Sequence, residues 1–106
     1  MSRVTCYKII KEEDHVKFQK NGEFAGNDRD CADKYIHMCG EKKQLKRLLN
    51  KYYVGVEIRI YELSFLKDEI KYDKNHGENY PHLHDKPIMI DNVLSYSDCN
   101  KWVYED

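Results

Sequence analysis

One short segment, Tyr35-Ile36-His37-Met38-Cys39, constrains the fold more than any other part of the sequence. Its polar and apolar residues alternate with the period of a β-strand, which predicts Tyr35, His37 and Cys39 on one face and Ile36 and Met38 on the other. Two apolar side chains on one face indicate that this face meets the core. The face that carries the histidine is then left for solvent or for a cleft.

A second histidine stretch, Tyr80-Pro81-His82-Leu83-His84, lies near the other end of the chain. Its two histidines are separated by one apolar residue, so an extended segment would place both imidazoles on the same side. We expect the two histidine stretches to face one another across a pocket.

The remaining pattern predicts an α+β fold with two helices. Residues Glu41 to Tyr53 form an amphipathic helix, with apolar side chains at i, i+3, i+4, i+7 and i+8, and acidic residues from Glu12 onward begin a shorter helix that stops at Asn21-Gly22. Strands without regular βα alternation favour a mostly antiparallel or mixed sheet. The predicted strands are Val4 to Ile10, Val56 to Leu63, Glu69 to Asp73, Pro87 to Ile90 and Val93 to Tyr96. The predicted connections are a polar loop from Glu23 to Asp33, a turn at Phe65 and Leu66, and a loop from Lys74 to Asn79. Trp102 and Val103 are predicted to cover one end of the core.

Length and charge exclude several classes of function. The 106 residues suit one domain, and 18 basic against 19 acidic side chains give almost no net charge. General binding to nucleic acid or to an anionic membrane needs a net basic surface and is therefore not expected. The sequence has no run of about 20 apolar residues and no signal-peptide pattern, which predicts a cytoplasmic protein with free thiols.

Three kinds of chemistry fit the histidine stretches, and the residues alone leave all three open. His37, Cys39, His82 and His84 together could form a tetrahedral metal site. Cys39, which precedes a helix, could instead be a nucleophile beside a histidine. Finally, Gly40 and the amides that begin the helix could bind the phosphate of a nucleotide, with tyrosines such as Tyr7, Tyr35 and Tyr72 stacking on its base. Each residue also has an ordinary structural role, as a core cysteine, a rim tyrosine or a histidine that satisfies backbone groups.

The order of five short motifs between about Val4 and Tyr96 resembles an uncharacterised family, domain of unknown function 952. The motifs that carry this resemblance are Tyr7-Lys8-Ile9, Gly22-Glu23-Phe24-Ala25-Gly26, Tyr35-Ile36-His37-Met38-Cys39, Tyr72-Asp73 and Tyr80-Pro81-His82-Leu83-His84-Asp85. The chain departs from the family pattern where Cys39 replaces a serine, Tyr72-Asp73 replaces Trp-Glu, and His84-Asp85 replaces Tyr-Gly.

This resemblance implies a fold similar to the ADP-ribosyltransferase-like group, whose cleft holds a dinucleotide or a phosphorylated ribose. By carry-over, the catalytic positions are His37, His82 and Asp73, where Asp73 stands in place of the family's glutamate. The same carry-over, together with the strand patterns, gives a ligand-binding set of Tyr7, Lys8, Tyr35, Cys39 and His84. NAD is one candidate cofactor, and no residue is assigned to a metal.

The sequence therefore leads to a first hypothesis with two alternatives. The first is a single α+β domain that binds a small nucleotide or an RNA end and transfers a ribosyl or phosphoryl group. The second is a non-catalytic protein interaction module in which the histidines are structural, with an unknown partner. The third is a zinc module. The first two differ in one geometric expectation, because a catalytic cleft should leave His37 and His82 close together and partly exposed.

Overall fold

Two three-stranded antiparallel sheets carry the fold, and a two-stranded ribbon adds to them. The structure, a computed structural model, describes residues 2–75 and 77–98. Its elements in chain order are β1 (Arg3–Lys11), α1 (Glu12–Asn21), β2 (Glu23–Phe24), α2 (Asp28–Asp33), β3 (Tyr35–His37), α3 (Lys42–Tyr52), β4 (Ile58–Leu66), β5 (Ile70–Asn75), β6 (Glu78–His84), β7 (Ile88–Met89) and β8 (Val93–Asp98), with single 3-10 turns at Lys67–Glu69 and Ile90–Asn92.

The strand order within each sheet shows how distant segments meet. The first sheet has the order β1-β4-β8, the second β3-β6-β5, and the ribbon pairs β2 with β7. The first and second sheets touch through one backbone bridge between Tyr7 and Cys39, in which the Tyr7 amide donates to the Cys39 carbonyl at 2.7 Å and the Cys39 amide donates back at 2.8 Å. The cleft described below is lined from both sides of this junction.

The core consists of two apolar clusters. The larger one packs α1 and the ribbon against both sheets, and its members are Cys6, Ile10, Phe18, Phe24, Ile36, Met38, Tyr61, Leu63, Phe65, Ile70, Leu83 and Ile88. The smaller one lies under α3 and contains Ile9, Cys39, Leu45, Leu49, Ile58 and Ile60. Because Leu45 and Leu49 are one helical turn apart, they form the buried stripe that the sequence pattern predicted for this helix.

Several predicted elements are confirmed. The α+β class, β1, α1 and α3 agree with the sequence interpretation to within two residues at most of their ends. Gly22 ends α1 with φ 79°, in the left-handed region that glycine adopts without strain.

Other expectations were wrong. The structure has three α-helices among its described residues rather than two, because the segment predicted as a loop from Glu23 to Asp33 contains β2 and α2. Phe65 and Leu66 belong to β4 instead of forming a turn, and this strand begins at Ile58 rather than at Val56. The predicted loop from Lys74 to Asn79 is shorter, since β5 extends to Asn75 and β6 begins at Glu78. The role predicted for Trp102 and Val103 lies outside the described residues.

Among the described helices, none combines the length and the apolar character needed to cross a bilayer.

Candidate functional site

The sheet β3-β6-β5 has one apolar face and one polar face, and the polar face forms the candidate site. In the register of β3 and β6, His37 pairs with His82 and Tyr35 with His84. In the register of β6 and β5, Asp73 pairs with Tyr80. Since side chains alternate along each strand, these residues all project from one face. The other face carries Ile36, Leu83 and Ile70, which are buried in the larger apolar cluster.

This arrangement corrects the expectation that the two histidine stretches face one another across a pocket. His37 and His82 are neighbours on adjacent strands, with their ring centroids 5.3 Å apart in an edge-on orientation. The histidines therefore stand side by side on one surface. The side chain of His37 is 22% exposed, whereas that of His82 is 7% exposed.

Carboxylates from α2 hold the ring of His37. Its Nδ1 lies 2.6 Å from Oδ1 of Asp30, and its Nε2 lies 2.9 Å from Oδ2 of Asp33. The backbone amide of His37 also donates to Asp30 at 3.0 Å. His37 is therefore fixed in place by a helix that the sequence pattern did not predict.

Asp30 is the centre of a buried ionic group. Its Oδ2 lies 2.9 Å from the ammonium of Lys8, and both side chains are almost fully buried. The same ammonium donates to the carbonyl oxygen of His37 at 2.7 Å. Burial alone would raise the pKa of Asp30, but the charge of Lys8 and the donors on His37 and Asn27 outweigh it and lower the pKa. Burial lowers the pKa of Lys8, and the charge and hydrogen bond of Asp30 oppose that shift.

The start of α2 explains how Asp30 reaches this position. Asn27 caps the helix by accepting from the amide of Asp30 at 2.9 Å, and Asp30 accepts from the amide of Asn27 at 3.0 Å. This reciprocal capping box satisfies two amides that a helix start would otherwise leave unpaired. Gly26 precedes it with φ 111°, and a Cβ there would lie only 2.7 Å from that of Asp30. Glycine is therefore required at this approach.

His82 is oriented by a carboxylate on the neighbouring strand. Its Nδ1 donates to Oδ2 of Asp73, whose side chain is 57% exposed. Burial lowers the pKa of His82, and the hydrogen bond to Asp73 opposes that shift. Tyr35 lies across the ring of His82 in a stacked arrangement at 4.3 Å and across that of His84 at 4.8 Å. This stacking restricts the orientations of the Tyr35, His82 and His84 rings.

A cleft of about 1040 Å³ opens beside this polar face. Of the eight residues predicted to form the site, six line it: Tyr7, Lys8, Tyr35, His37, Asp73 and His82. Further lining comes from α3 and the neighbouring strands, through Arg47, Leu48, Lys51, Tyr52, Tyr53, Lys74 and Tyr80. Its volume is at the upper end of the range typical of small-molecule sites.

Cys39 differs from expectation. The strand ends at His37, and Cys39 turns into the smaller apolar cluster, where it is 3% exposed. It is not among the residues that line the cleft. Burial raises the pKa of its thiol to about 12, which is the opposite of what a thiolate nucleophile needs. The predicted pairing of Cys39 with the histidines as metal ligands or as a nucleophile is therefore corrected.

His84 also lies outside the cleft lining, on the same strand face as His82. Its Nε2 is buried and has no hydrogen-bond partner among the described residues.

Sequence reasoning missed Asp30 and Asp33, which position His37, and it missed the ion pair of Lys8. One signal could have found them. Asn27-x-x-Asp30 is a variant of the capping box that marks a helix start, and it would have placed both carboxylates on a helix directly before the histidine strand.

The fold and the site together define a small α+β domain with a cleft whose floor is a sheet face bearing two histidines held by carboxylates. The chain belongs to the family described as "Protein of unknown function (DUF952)", whose model matches residues 9–96. No curated protein matches it.

Solved structures of one bacterial protein share this fold. A crystal structure of protein CC0527 from Caulobacter crescentus is 20% identical and has a TM-score of 0.76, with 90% of this chain and 85% of that chain covered. A solution NMR structure of CC0527 is 23% identical and has a TM-score of 0.75, with 89% and 83% covered. At this level of identity, the likeness concerns the fold alone.

Proposed function

We propose that the cleft binds a nucleotide or a phosphorylated ribose. The observation that carries this proposal is the pairing of His37 and His82 on the cleft floor, with their ring centroids 5.3 Å apart. Two imidazoles at this spacing can both reach one phosphate group or one ribose, provided that the ligand displaces the half-exposed carboxylate of Asp33 from Nε2 of His37. The cleft of about 1040 Å³ has room for a ligand of that size.

The charges around the cleft favour an anionic group on one side. The carboxylates at the floor are already engaged: Asp30 with Lys8, Asp33 with His37, and Asp73 with His82. The cleft lining includes three cationic side chains of α3 and β5, namely Arg47, Lys51 and Lys74, of which Arg47 is paired with Glu78.

These cationic side chains are suited to a phosphate. We therefore place the phosphate of the ligand beside α3 and β5.

Aromatic side chains in the same wall could hold a base. Tyr52, Tyr53 and Tyr80 line the cleft together with Tyr7. Aromatic side chains stack on bases with little preference for sequence. A base among these tyrosines and a phosphate beside Lys51 would together account for a nucleotide.

A ribosyl or phosphoryl transfer is the reaction that an ADP-ribosyltransferase-like cleft would perform. In such a reaction, His37 and His82 would contact the phosphate or the ribose. Asp73 would be the acidic group near the reacting carbon, where a carboxylate stabilises developing positive charge.

Thermal unfolding with a ligand panel tests the binding proposal. The panel contains nucleotides, NAD, ADP-ribose and 2′-phosphorylated RNA ends, in buffer with a chelator so that metal ions do not contribute. A ligand at about 100 times its dissociation constant should stabilise the fold by about 2.7 kcal/mol, which raises the midpoint by several degrees.

Matched variants locate the site. His82→Gln and Lys51→Gln should each abolish or reduce the ligand-induced shift. His15→Gln and Lys20→Gln are the same substitutions at residues outside the cleft lining, and both variants should retain the ligand-induced shift. A panel without any stabilising ligand, or a shift that is equal in all four variants, would contradict the proposal.

A non-catalytic interaction module is the second candidate, and one observation favours it. Both ring nitrogens of His37 lie against carboxylates of α2, so this histidine has a structural role whatever the cleft binds. In this candidate, His37→Gln would lower stability while no ligand of the panel shifted the midpoint.

A further inference from the structure

We infer that Asp73, His82 and His84 form a binding site for a divalent transition-metal ion such as Zn²⁺. Each residue offers one ligand atom, and these atoms lie within 4.8 Å of one another. Ligands around a first-row ion stand about 2.0–2.2 Å from it, so small side-chain rotations bring all three into contact with one ion. This inference does not depend on the organic ligand proposed for the cleft.

The backbone explains why these three side chains converge. His82 and His84 are two residues apart on β6 and therefore project from the same face. Asp73 stands on the adjacent strand β5, where it pairs with Tyr80, two residues from His82. A sheet holds its ligands more firmly than a loop would, which favours a preformed site.

His84 supplies independent evidence for a ligand. Its Nε2 is buried and has no hydrogen-bond partner among the described residues. Buried polar atoms in folded proteins nearly always have a partner, and a buried nitrogen without one points to a bound water or ion. An ion shared with His82 and Asp73 would satisfy this nitrogen.

Tyr35 holds the two imidazoles in place. Its ring stacks on His82 at 4.3 Å and on His84 at 4.8 Å, with 28° between the planes in each case. Restricting both rings before an ion arrives lowers the entropy lost on binding.

The ligand types select the ion. Two imidazole nitrogens and one carboxylate oxygen suit Zn²⁺ and related transition metals, whereas Mg²⁺ and Ca²⁺ prefer oxygen ligands.

Three protein ligands leave at least one position open, as in catalytic rather than structural zinc sites. Since Asp73 and His82 line the cleft, a molecule in the cleft could reach that position. The ion would take the place of the proton that joins His82 to Asp73.

This set differs from the one that the sequence pattern suggested. Cys39 lies in an apolar cluster away from it, and His37 is held by Asp30 and Asp33. In the inferred site, Asp73 is a metal ligand in place of Cys39 and His37.

Metal titration of the purified full chain, without a histidine tag and after treatment with a chelator, tests the inference. The probe is Zn²⁺, followed by calorimetry and by competition with a chromophoric chelator, in the absence of nucleotide. Co²⁺ in place of Zn²⁺ reports the ligand types through its visible spectrum. We expect one ion per chain and a spectrum without the charge-transfer band of a thiolate ligand.

Two variants remove ligands while preserving shape. His84→Phe keeps a ring against Tyr35, and Asp73→Asn keeps the size of the side chain. Each should weaken Zn²⁺ binding by at least about tenfold. His15→Phe is the matched control, because His15 also packs against tyrosine rings but lies apart from the site, and it should bind as the parent does.

Circular dichroism and thermal unfolding confirm that each variant is folded. Equal affinity in folded His84→Phe and in the parent, a thiolate band with Co²⁺, or no binding by the parent would overturn the inference. Because no nucleotide is present, these outcomes are separate from the test of the cleft ligand.

Discussion

Removing the charge of Asp30 should be the most damaging conservative change in the described part of the candidate site. In Asp30→Asn, the ammonium of Lys8 would stay buried and lose its charged partner at 2.9 Å, keeping only neutral acceptors such as the carbonyl oxygen of His37. Breaking a buried ion pair from one side costs about 3–5 kcal/mol, because the remaining charge is uncompensated. Most domains have a total stability of only about 5–15 kcal/mol.

The cost can be read from urea and thermal unfolding. For a chain of this length, each kcal/mol corresponds to roughly 4–5 °C in the midpoint, so Asp30→Asn should lower it by roughly 12–25 °C. Glu41→Gln is a control at an exposed ion pair, where Glu41 and Lys43 are 3.4 Å apart. That change should cost less than about 1 kcal/mol, since exposed pairs contribute little.

A double-mutant cycle tests the physical reason. Lys8→Met combined with Asp30→Asn removes both charges, so the double variant should be less destabilised than the sum of the two single variants. Additive costs, or a cost for Asp30→Asn no larger than that of Glu41→Gln, would refute the argument that an uncompensated buried charge sets the magnitude.

Two further predictions concern pH and thiol reactivity. Because folding lowers the pKa of Asp30 from 3.8, its ionised form stabilises the fold above that value, and the stabilisation is lost as the pH falls through the lower folded pKa. The difference in unfolding free energy between the parent and Asp30→Asn, measured by urea titration, should therefore narrow below about pH 3.8, and a constant difference would contradict the assignment. Iodoacetamide should label exposed Cys31 before buried Cys39 in the folded protein, as read by peptide mass mapping, because burial raises the pKa of Cys39 to about 12. Equal labelling of Cys31 and Cys39 would contradict this prediction, because it would show that the reagent reaches Cys39 after the end of β3.

Alternation and helical periodicity were enough to predict where much of the chain lies. They placed Ile36 in the core and put His37 and His82 on polar strand faces, because period-two patterns report burial directly. They also gave α3, whose apolar stripe repeats over several turns.

What the sequence could not show was which strands pair. The register that makes His37 a neighbour of His82 joins segments 45 residues apart, and local patterns contain no information about such contacts. Cys39 was misplaced for a related reason, since its strand stops two residues early and the backbone turns to bridge Tyr7. The short helix α2 was missed because six residues are too few for a periodic signal.

The buried Lys8 has a consequence for the resistance of this protein to aggregation. It lies in the middle of β1, an edge strand in which Cys6, Ile9 and Ile10 are buried. An unpaired apolar strand is a template for aggregation, and an inward-pointing charge makes pairing with another chain costly.

During folding, β1 must wait for β4, since the partner of Arg3 is Leu66. Until α2 brings Asp30 to Lys8, the unpaired ammonium of Lys8 would therefore disfavour the pairing of β1 with the same strand of another chain.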